Sequence, residues 1–266
     1  IFKERLNQIF EFYSPLISKY DSNFNIEASK KENLDYIESN RDFIKPHLVP
    51  PTFLEAYKNE NILFEGAQGA MLDVSYGTYP FVTSSHTLPT ASFVGSGFGG
   101  KMDKTFGVAK AYCTRVGFGP FPSEDFTQEG ELMQNKGAEF GTVTGRIRRC
   151  GFLDLVSLKH IIMLSGTTDI ILTKIDVLND FETIKVCIAY EVDGKEVNYL
   201  PSSQKAQANI KPIYKEFEGW NGGYDFKNFS GLPQTLKTYI KFIEEYTSVP
   251  VSVLSFGAER DETLNL

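Results

Sequence analysis

The chain has little of what a membrane, an oxidising compartment or a polyanionic partner demands. No apolar run approaches the roughly 18 to 20 residues that cross a bilayer, and no secretory signal pattern opens the sequence. Cysteine is scarce: Cys113, Cys150 and Cys187 are odd in number, far apart and form no CxxC pair. That suits reduced thiols and argues against a disulfide framework or a structural zinc site. Basic excess is absent too. Lys and Arg number 27 against 34 Asp and Glu, a formal charge of −7, so no sequence-wide positive field exists to hold nucleic acid. His47, His86 and His160 show no metal-ligand spacing, and His160, on an apolar helical face, reads as structural. The expectation is a cytoplasmic protein with neither a nucleic-acid nor a membrane partner.

What is present suits a globular enzyme-sized chain: 266 residues, 41% hydrophobic and 23% charged. Phe2, Leu6, Ile9, Tyr13, Leu16 and Ile17 recur at helical spacing, and a second helical stretch covers about 29–44 before Pro46, Pro50 and Pro51. The sequence starts at Ile1 inside this amphipathic pattern, which reads as a fragment boundary. A short helix is expected near 53–58, and Ile62-Leu63-Phe64 reads as a buried strand ending in Gly66-Ala67-Gln68-Gly69. Residues 86–100 read as a loop, 102–108 as a helix, 111–116 as a strand, and 117–122 as irregular. A helix over 153–164 precedes the apolar strand Ile170-Ile171-Leu172. Ile184, Val186, Ile188 and Tyr190 alternate with less apolar residues as a two-faced strand; 232–246 forms a helix and 251–254 a strand. Strands and helices intermix without a repeat, giving an α/β or α+β class.

Several segments could carry chemistry. Thr173-Lys174-Ile175-Asp176 follows a buried strand, where a carboxylate can accept from guanine N1–H and its exocyclic amine while the lysine stem lies along the base. The alternative is a strand followed by a polar turn. Gly141-Thr142-Val143-Thr144-Gly145-Arg146-Ile147-Arg148-Arg149 places three guanidiniums on a small-residue loop, as a bidentate binder of carboxylate or phosphate requires; a solvated basic turn is the alternative. Gln68 offers donors and an acceptor to a ligand or to a helix end, and Gly77-Thr78-Tyr79-Pro80-Phe81-Val82-Thr83-Ser84-Ser85 offers hydroxyls to a phosphate or merely turns the chain. Gly95-Ser96-Gly97-Phe98-Gly99-Gly100-Lys101 matches both GxGxxG and half of a P-loop. It lacks a preceding strand, and Met102 stands where a P-loop needs a hydroxyl, so a substrate-side loop is preferred over a phosphate loop.

Taken with Phe64-Glu65-Gly66-Ala67-Gln68-Gly69, Thr114-Arg115-Val116-Gly117, Gly119-Pro120-Phe121-Pro122, Gly231-Leu232-Pro233 and Ser255-Phe256-Gly257-Ala258-Glu259-Arg260, these motifs resemble the adenylosuccinate synthetase family in order and spacing. The resemblance covers roughly the C-terminal three fifths of a typical member. It implies an α/β fold: part of a largely parallel, P-loop-NTPase-like central sheet with helices, followed by a C-terminal α+β domain. Residues 1–45 would end a helical subdomain, 46–108 would complete the nucleotide-binding domain, and 109–266 would carry the aspartate and guanine elements. It further implies a GTP-dependent ligase that joins IMP and L-aspartate, requires magnesium and acts as a homodimer.

By motif, Gln68, Thr83, Val116 and Arg146 would contact IMP, with Thr83 at its 5′-phosphate. Thr142, Val143, Thr144, Gly145, Arg146, Ile147 and Arg148 would close over aspartate, and Arg148 would also reach GTP. Lys174, Ile175 and Asp176 would form one wall of the guanine site and Ser255, Phe256 and Gly257 the other. The family's phosphate loop, catalytic base and acid, magnesium ligands and partner-subunit arginine are expected before Ile1. The departures are Ser75-Tyr76 for a common Asp-His, His86 for a frequent asparagine, and variation at Val143 and Ile147; none removes an assigned residue. A regulatory guanine-nucleotide-binding protein or a non-catalytic scaffold is the alternative. The former would need a complete P-loop and would not need the arginine cluster.

Overall fold

The computed structural model describes residues 1–141 and 145–266, which divide into two compact units, 1–60 and 61–266. The first unit is helical. α1 (Phe2–Tyr20) packs on α2 (Ile26–Ser39), followed by the single turn α3 (Arg41–Ile44). Asn25 caps α2 by accepting from the Ala28 N–H at 2.9 Å. Neither helix buries a residue fully, so their apolar faces, with Phe12 and Tyr20 among them, stand exposed on this unit.

The second unit begins without the strand expected at 62–64. Those residues belong to no strand, and Leu63 is 86% exposed. Three apolar residues cannot hold a strand without a neighbour to take their backbone hydrogen bonds. Phe64 is anchored instead by aromatic contacts with Phe93 and Phe98. The glycine-rich stretch is resolved against a phosphate loop: α4 (Ala91–Ser96), inside the 86–100 span expected to be a loop, contains Gly95, and Gly97, at φ 69°, terminates that helix. No helix follows Lys101; the one expected over 102–108 is replaced by β1 (Phe106–Lys110). Alternation of Phe106, Val108 and Lys110 with the small Gly107 and Ala109 suits a strand whose close approach to Thr167 leaves no room for a Cβ at Gly107.

Two sheets meet at Ala111. β1 is followed at once by β2 (Tyr112–Arg115), then α5 (Gln128–Lys136), β3 (Arg149–Asp154), α6 (Leu155–Ser165) and β4 (Asp169–Thr173). After these come β5 (Thr183–Val192), β6 (Lys195–Val197), α7 (Gln204–Ala208), β7 (Lys211–Glu218), α8 (Gln234–Thr247), β8 (Val251–Ser255) and β9 (Thr263–Asn265). The first sheet has the order β1-β4-β8-β9 and is parallel across β1, β4 and β8; the second runs β2-β3-β5-β6, with β7 also paired to β5. Ala111 joins them, its N–H donating to Thr173 O at 2.8 Å and its carbonyl accepting from the Tyr239 hydroxyl at 2.7 Å. The largely parallel α/β architecture matches the class read from the sequence.

Parallel strands covered on both faces read as continuous apolar runs; in β4 Ile170 and Leu172, on one face, are 1% and 0% exposed, and Ile171, on the other, is partly buried. The two-faced reading of β5 needs correction. Ile184, Val186 and Tyr190 are buried, but so are Cys187, which shares a second buried cluster with Val156 and Tyr190, and Ala189, beyond a register shift in the pairing with β7. A bulge of this kind exchanges the faces of a strand midway. The helix expected over 153–164 starts two residues later, since Asp154 closes β3 and caps α6, accepting from Ser157 N–H at 3.0 Å.

Candidate functional site

Ligands of open α/β sheets bind beyond the carboxyl ends of parallel strands, and that edge gathers the residues assigned to guanine. β4 and β8 are neighbours, with Leu172 opposite Leu254, so Lys174, Ile175 and Asp176 leave one strand beside Ser255, Phe256 and Gly257 leaving the other. Lys174 sits at φ 61°, a left-handed conformation rare for a side-chain-bearing residue, and opens a short 3-10 turn over Ile175–Leu178. Its ammonium donates to Gly137 O at 3.0 Å. Ile175 is wholly buried and fixes the turn, while Phe256, 6% exposed, stacks on Phe226 with ring centroids 5.2 Å apart.

Asp176 is the anomaly at this edge. Its Oδ1 is buried and accepts no hydrogen bond, the only carboxylate oxygen in that condition among the described residues. Burial raises its pKa above the ordinary carboxylate value and nearby Glu262 adds to this, while the backbone N–H groups of Asp176 and Val177 and the Lys174 ammonium oppose it. Buried acceptors without donors are uncommon and costly, so this one invites a ligand that brings N–H groups.

Two of the four residues assigned to IMP also meet. Gln68 is held at φ 71°, its Nε2 donating to the Thr83 hydroxyl at 3.1 Å while its Oε1 accepts from the Ser85 hydroxyl at 3.2 Å. Asp73 organises this segment from within. Buried itself, it accepts from the backbone N–H groups of Ser75 (2.9 Å), Tyr76 (3.1 Å), Thr87 (2.7 Å) and Leu88 (3.4 Å), with His86 Nδ1 at 3.4 Å. Gly77 admits no side chain, since a Cβ would lie 2.4 Å from Met71 O. Burial alone would raise the Asp73 pKa, but the four amides outweigh it and bring it down to about 2. The carboxylate therefore stabilises the fold above its ordinary value of 3.8, and this is lost as pH falls toward about 2. Asp73→Asn turns an amide N–H2 toward backbone donors, an expected cost of about 1–3 kcal/mol. Thermal melts of the two proteins should differ at neutral pH and converge on acidification; a gap constant with pH would remove the carboxylate's role.

Arg115, not singled out by sequence reasoning although it lies in one of the quoted motifs, carries this segment to the arginine strand. Its Nη2 donates to the Thr78 hydroxyl at 2.9 Å and Phe81 O at 3.1 Å, and its Nε to Phe118 O at 3.0 Å. Next to it, Val116 is half exposed. A pocket of about 410 Å³ follows, lined by residues 117–119 with Arg146, Ile147 and Arg149. Arg146 Nη2 would stand 3.6 Å from a Cβ on Gly117, where φ is 75°. Gly145, at φ 62°, turns the chain back so that its N–H reaches Gly141 O at 2.7 Å. Thr142, Val143 and Thr144 lie outside the described residues.

The three arginines do not act alike. Arg149 lies on β3, donating through Nε to Glu124 at 2.7 Å and through Nη1 to the carbonyls of Gly117 and Gly119, each at 3.0 Å. It shapes the 117–119 turn and is a structural group. Arg148 is half-buried against Glu139, Nη1 to Oε2 at 2.8 Å. Arg146 is exposed at the pocket. Among the described residues no three His, Cys, Asp or Glu side chains converge as a metal site, and no helix is long and apolar enough to cross a membrane.

A family model described as adenylosuccinate synthetase matches residues 1–264. The chain belongs to the adenylosuccinate synthetase family. A synthetase of Clostridium novyi is 42% identical over 99% of this chain and 62% of its own length. One from Synechococcus elongatus is 46% identical over 83% of this chain and 51% of its own. A solved structure described as fully ligated adenylosuccinate synthetase from Plasmodium falciparum superposes with a TM-score of 0.90 at 31% identity, covering all of this chain and 64% of that one. The chain thus spans about three fifths of the length of the family members it matches.

Proposed function

We propose that this chain forms the aspartate-binding and guanine-selecting part of a GTP-dependent ligase that converts IMP and L-aspartate to adenylosuccinate, GDP and phosphate. The observation that carries the reading is Asp176 Oδ1, buried and unpaired beside Lys174 at the carboxyl edge of adjacent parallel strands. Guanine N1–H and its exocyclic amine supply the two donors such a carboxylate needs, whereas adenine offers an acceptor at N1 and no amine at C2. The Lys174 stem covers one side of the base, and Ser255, Phe256 and Gly257 close the other.

In this reading the γ-phosphoryl group of GTP passes to the purine 6-oxygen, and the aspartate amine then attacks C6 and expels phosphate. Gln68 and Thr83 hold IMP, Val116 lines its ribose, and Arg146 binds the aspartate carboxylates as well as IMP. Gly145, Ile147 and Arg148, with Thr142, Val143 and Thr144, complete the aspartate loop. Arg148 stands between aspartate and GTP. The phosphate loop, the catalytic base and acid, the magnesium ligands and the arginine donated across a homodimer belong to the two fifths of the relatives' length that the chain does not span. Among the described residues no three His, Cys, Asp or Glu side chains converge to hold the magnesium ion that the family implies.

The complete gene product, given IMP, aspartate and GTP, should form adenylosuccinate, seen as a change in ultraviolet absorbance that depends on all three. No product with GTP present would overturn the assignment.

A further inference from the structure

The anion-binding arm and the guanine wall approach the same buried carboxylate, one to which no substrate role falls. Glu139 follows α5 on a tight turn and is fully buried. Its Oε1 accepts from Lys110 Nζ at 2.6 Å and from the Tyr112 hydroxyl, and its Oε2 accepts from Arg148 Nη1 at 2.8 Å. Its carbonyl accepts from Arg148 N–H at 2.9 Å, so side chain and backbone both fix that arginine. Two residues earlier, the Gly137 carbonyl takes the Lys174 ammonium at 3.0 Å. The turn that places both groups is tightly determined. Ala138 is left-handed at φ 48°, and a Cβ at Gly137 would fall 2.2 Å from the Tyr112 hydroxyl oxygen.

Topology brings the cations together. Lys110 ends β1, opposite Thr173 of β4, so Lys110 and Lys174 leave adjacent parallel strands on the same edge. Burial lowers the Lys110 pKa, and Arg148 and Lys174 push the same way against the opposing pull of Glu139. Two cations thus bond one carboxylate while Lys174 bonds the Gly137 carbonyl nearby, leaving positive charge for an anionic ligand. Glu139 has no such surplus. Burial alone would raise its pKa, yet the bonds from Lys110, Tyr112 and Arg148 hold it below the ordinary carboxylate range, ionised and unable to act as an acid near neutral pH.

We propose that Glu139 is a positioning residue whose carboxylate aims Arg148 while its turn, through Gly137 O, aims Lys174, coupling aspartate capture to guanine-nucleotide binding. This rests on the ligase reading above. A single turn then sets two ligand sites, so a ligand that draws Arg148 outward alters the turn on which Lys174 depends, and binding at either site changes affinity at the other by the same factor.

The test uses the complete gene product with Glu139→Gln and Glu139→Asp. Removing the charge should raise the KM for aspartate and the KM for GTP together, each by about tenfold or more, with the KM for IMP nearly unchanged. Glu139→Asp, which keeps the charge at shorter reach, should recover part of both. If Glu139→Gln does not fold, Lys110→Gln removes one of the same bonds and should raise the same two constants severalfold. A lowered melting temperature with unchanged constants, or equal rises for all three substrates, would overturn the proposal. A fluorescent GDP analogue separates this inference from the ligase reading. If the wild type makes no adenylosuccinate but Glu139→Gln weakens GDP binding, the ligase reading and the coupling to aspartate fail while the positioning of Lys174 by the turn stands. If the wild type binds no GDP, both fail.

Discussion

Asparagine in place of Asp176 should raise the GTP concentration needed for half-maximal rate about tenfold or more while leaving the requirement for IMP almost unchanged. The carboxylate offers two acceptors where the asparagine amide offers one acceptor and one donor, and its N–H2 would confront the exocyclic amine of guanine. Oδ1 accepts no hydrogen bond within the protein, and melting temperatures recorded beside the rates separate a loss of guanine binding from a change in stability. Xanthine nucleotides provide the control. Xanthine keeps N1–H but carries a carbonyl in place of the amine, so Asp176→Asn should prefer XTP where the wild type prefers GTP. Burial raises the Asp176 pKa; guanine affinity should accordingly begin to fall on acidification at a higher pH than an unshifted aspartate would give. Equal losses toward GTP and IMP, measured by initial rates, would refute the guanine role.

Leucine in place of Arg146 should raise the KM for aspartate on the order of 100-fold, the loss expected for a bidentate charge-assisted pair. The side chain stands exposed at the 117–119 pocket, and a melting temperature near that of the wild type would show that the variant folds. Arg149→Leu makes the contrast. Its removal strips partners from Glu124 and from the Gly117 and Gly119 carbonyls, and should lower the melting temperature as well as the rate. Initial rates over a range of aspartate concentrations decide the matter. An unchanged aspartate dependence in Arg146→Leu would remove that residue from the site.

What the sequence made legible follows from which forces are local. β4 and α8 are periodic and apolar, and both are where the pattern puts them. The structure joins the Gln68 and Thr83 side chains by a hydrogen bond and sets 174–176 and 255–257 at the ends of neighbouring strands, contacts that cannot be deduced from the segments separately. Residues whose role is to hold others were not legible. Arg115, Asp73 and Glu139 are ordinary polar residues until long-range folding brings donors or acceptors to them. The same holds for backbone strain. Gln68, Ala138 and Lys174 all have positive φ with nothing in their residue type to announce it, and all three border the candidate site, where the surrounding structure can sustain such conformations. At 62–64 local apolarity misled, because a strand is a property of pairs.

The central claim is that Asp176 reads the base. Titrating the complete gene product with fluorescent analogues of GDP and ADP tests it most directly, because the two differ at the edge the carboxylate would face. A site built to receive donors rejects a base that lacks them, so GDP should bind roughly 100-fold or more tighter than ADP, and Asp176→Asn should abolish the difference. Equal affinity of the wild type for GDP and ADP would contradict the account.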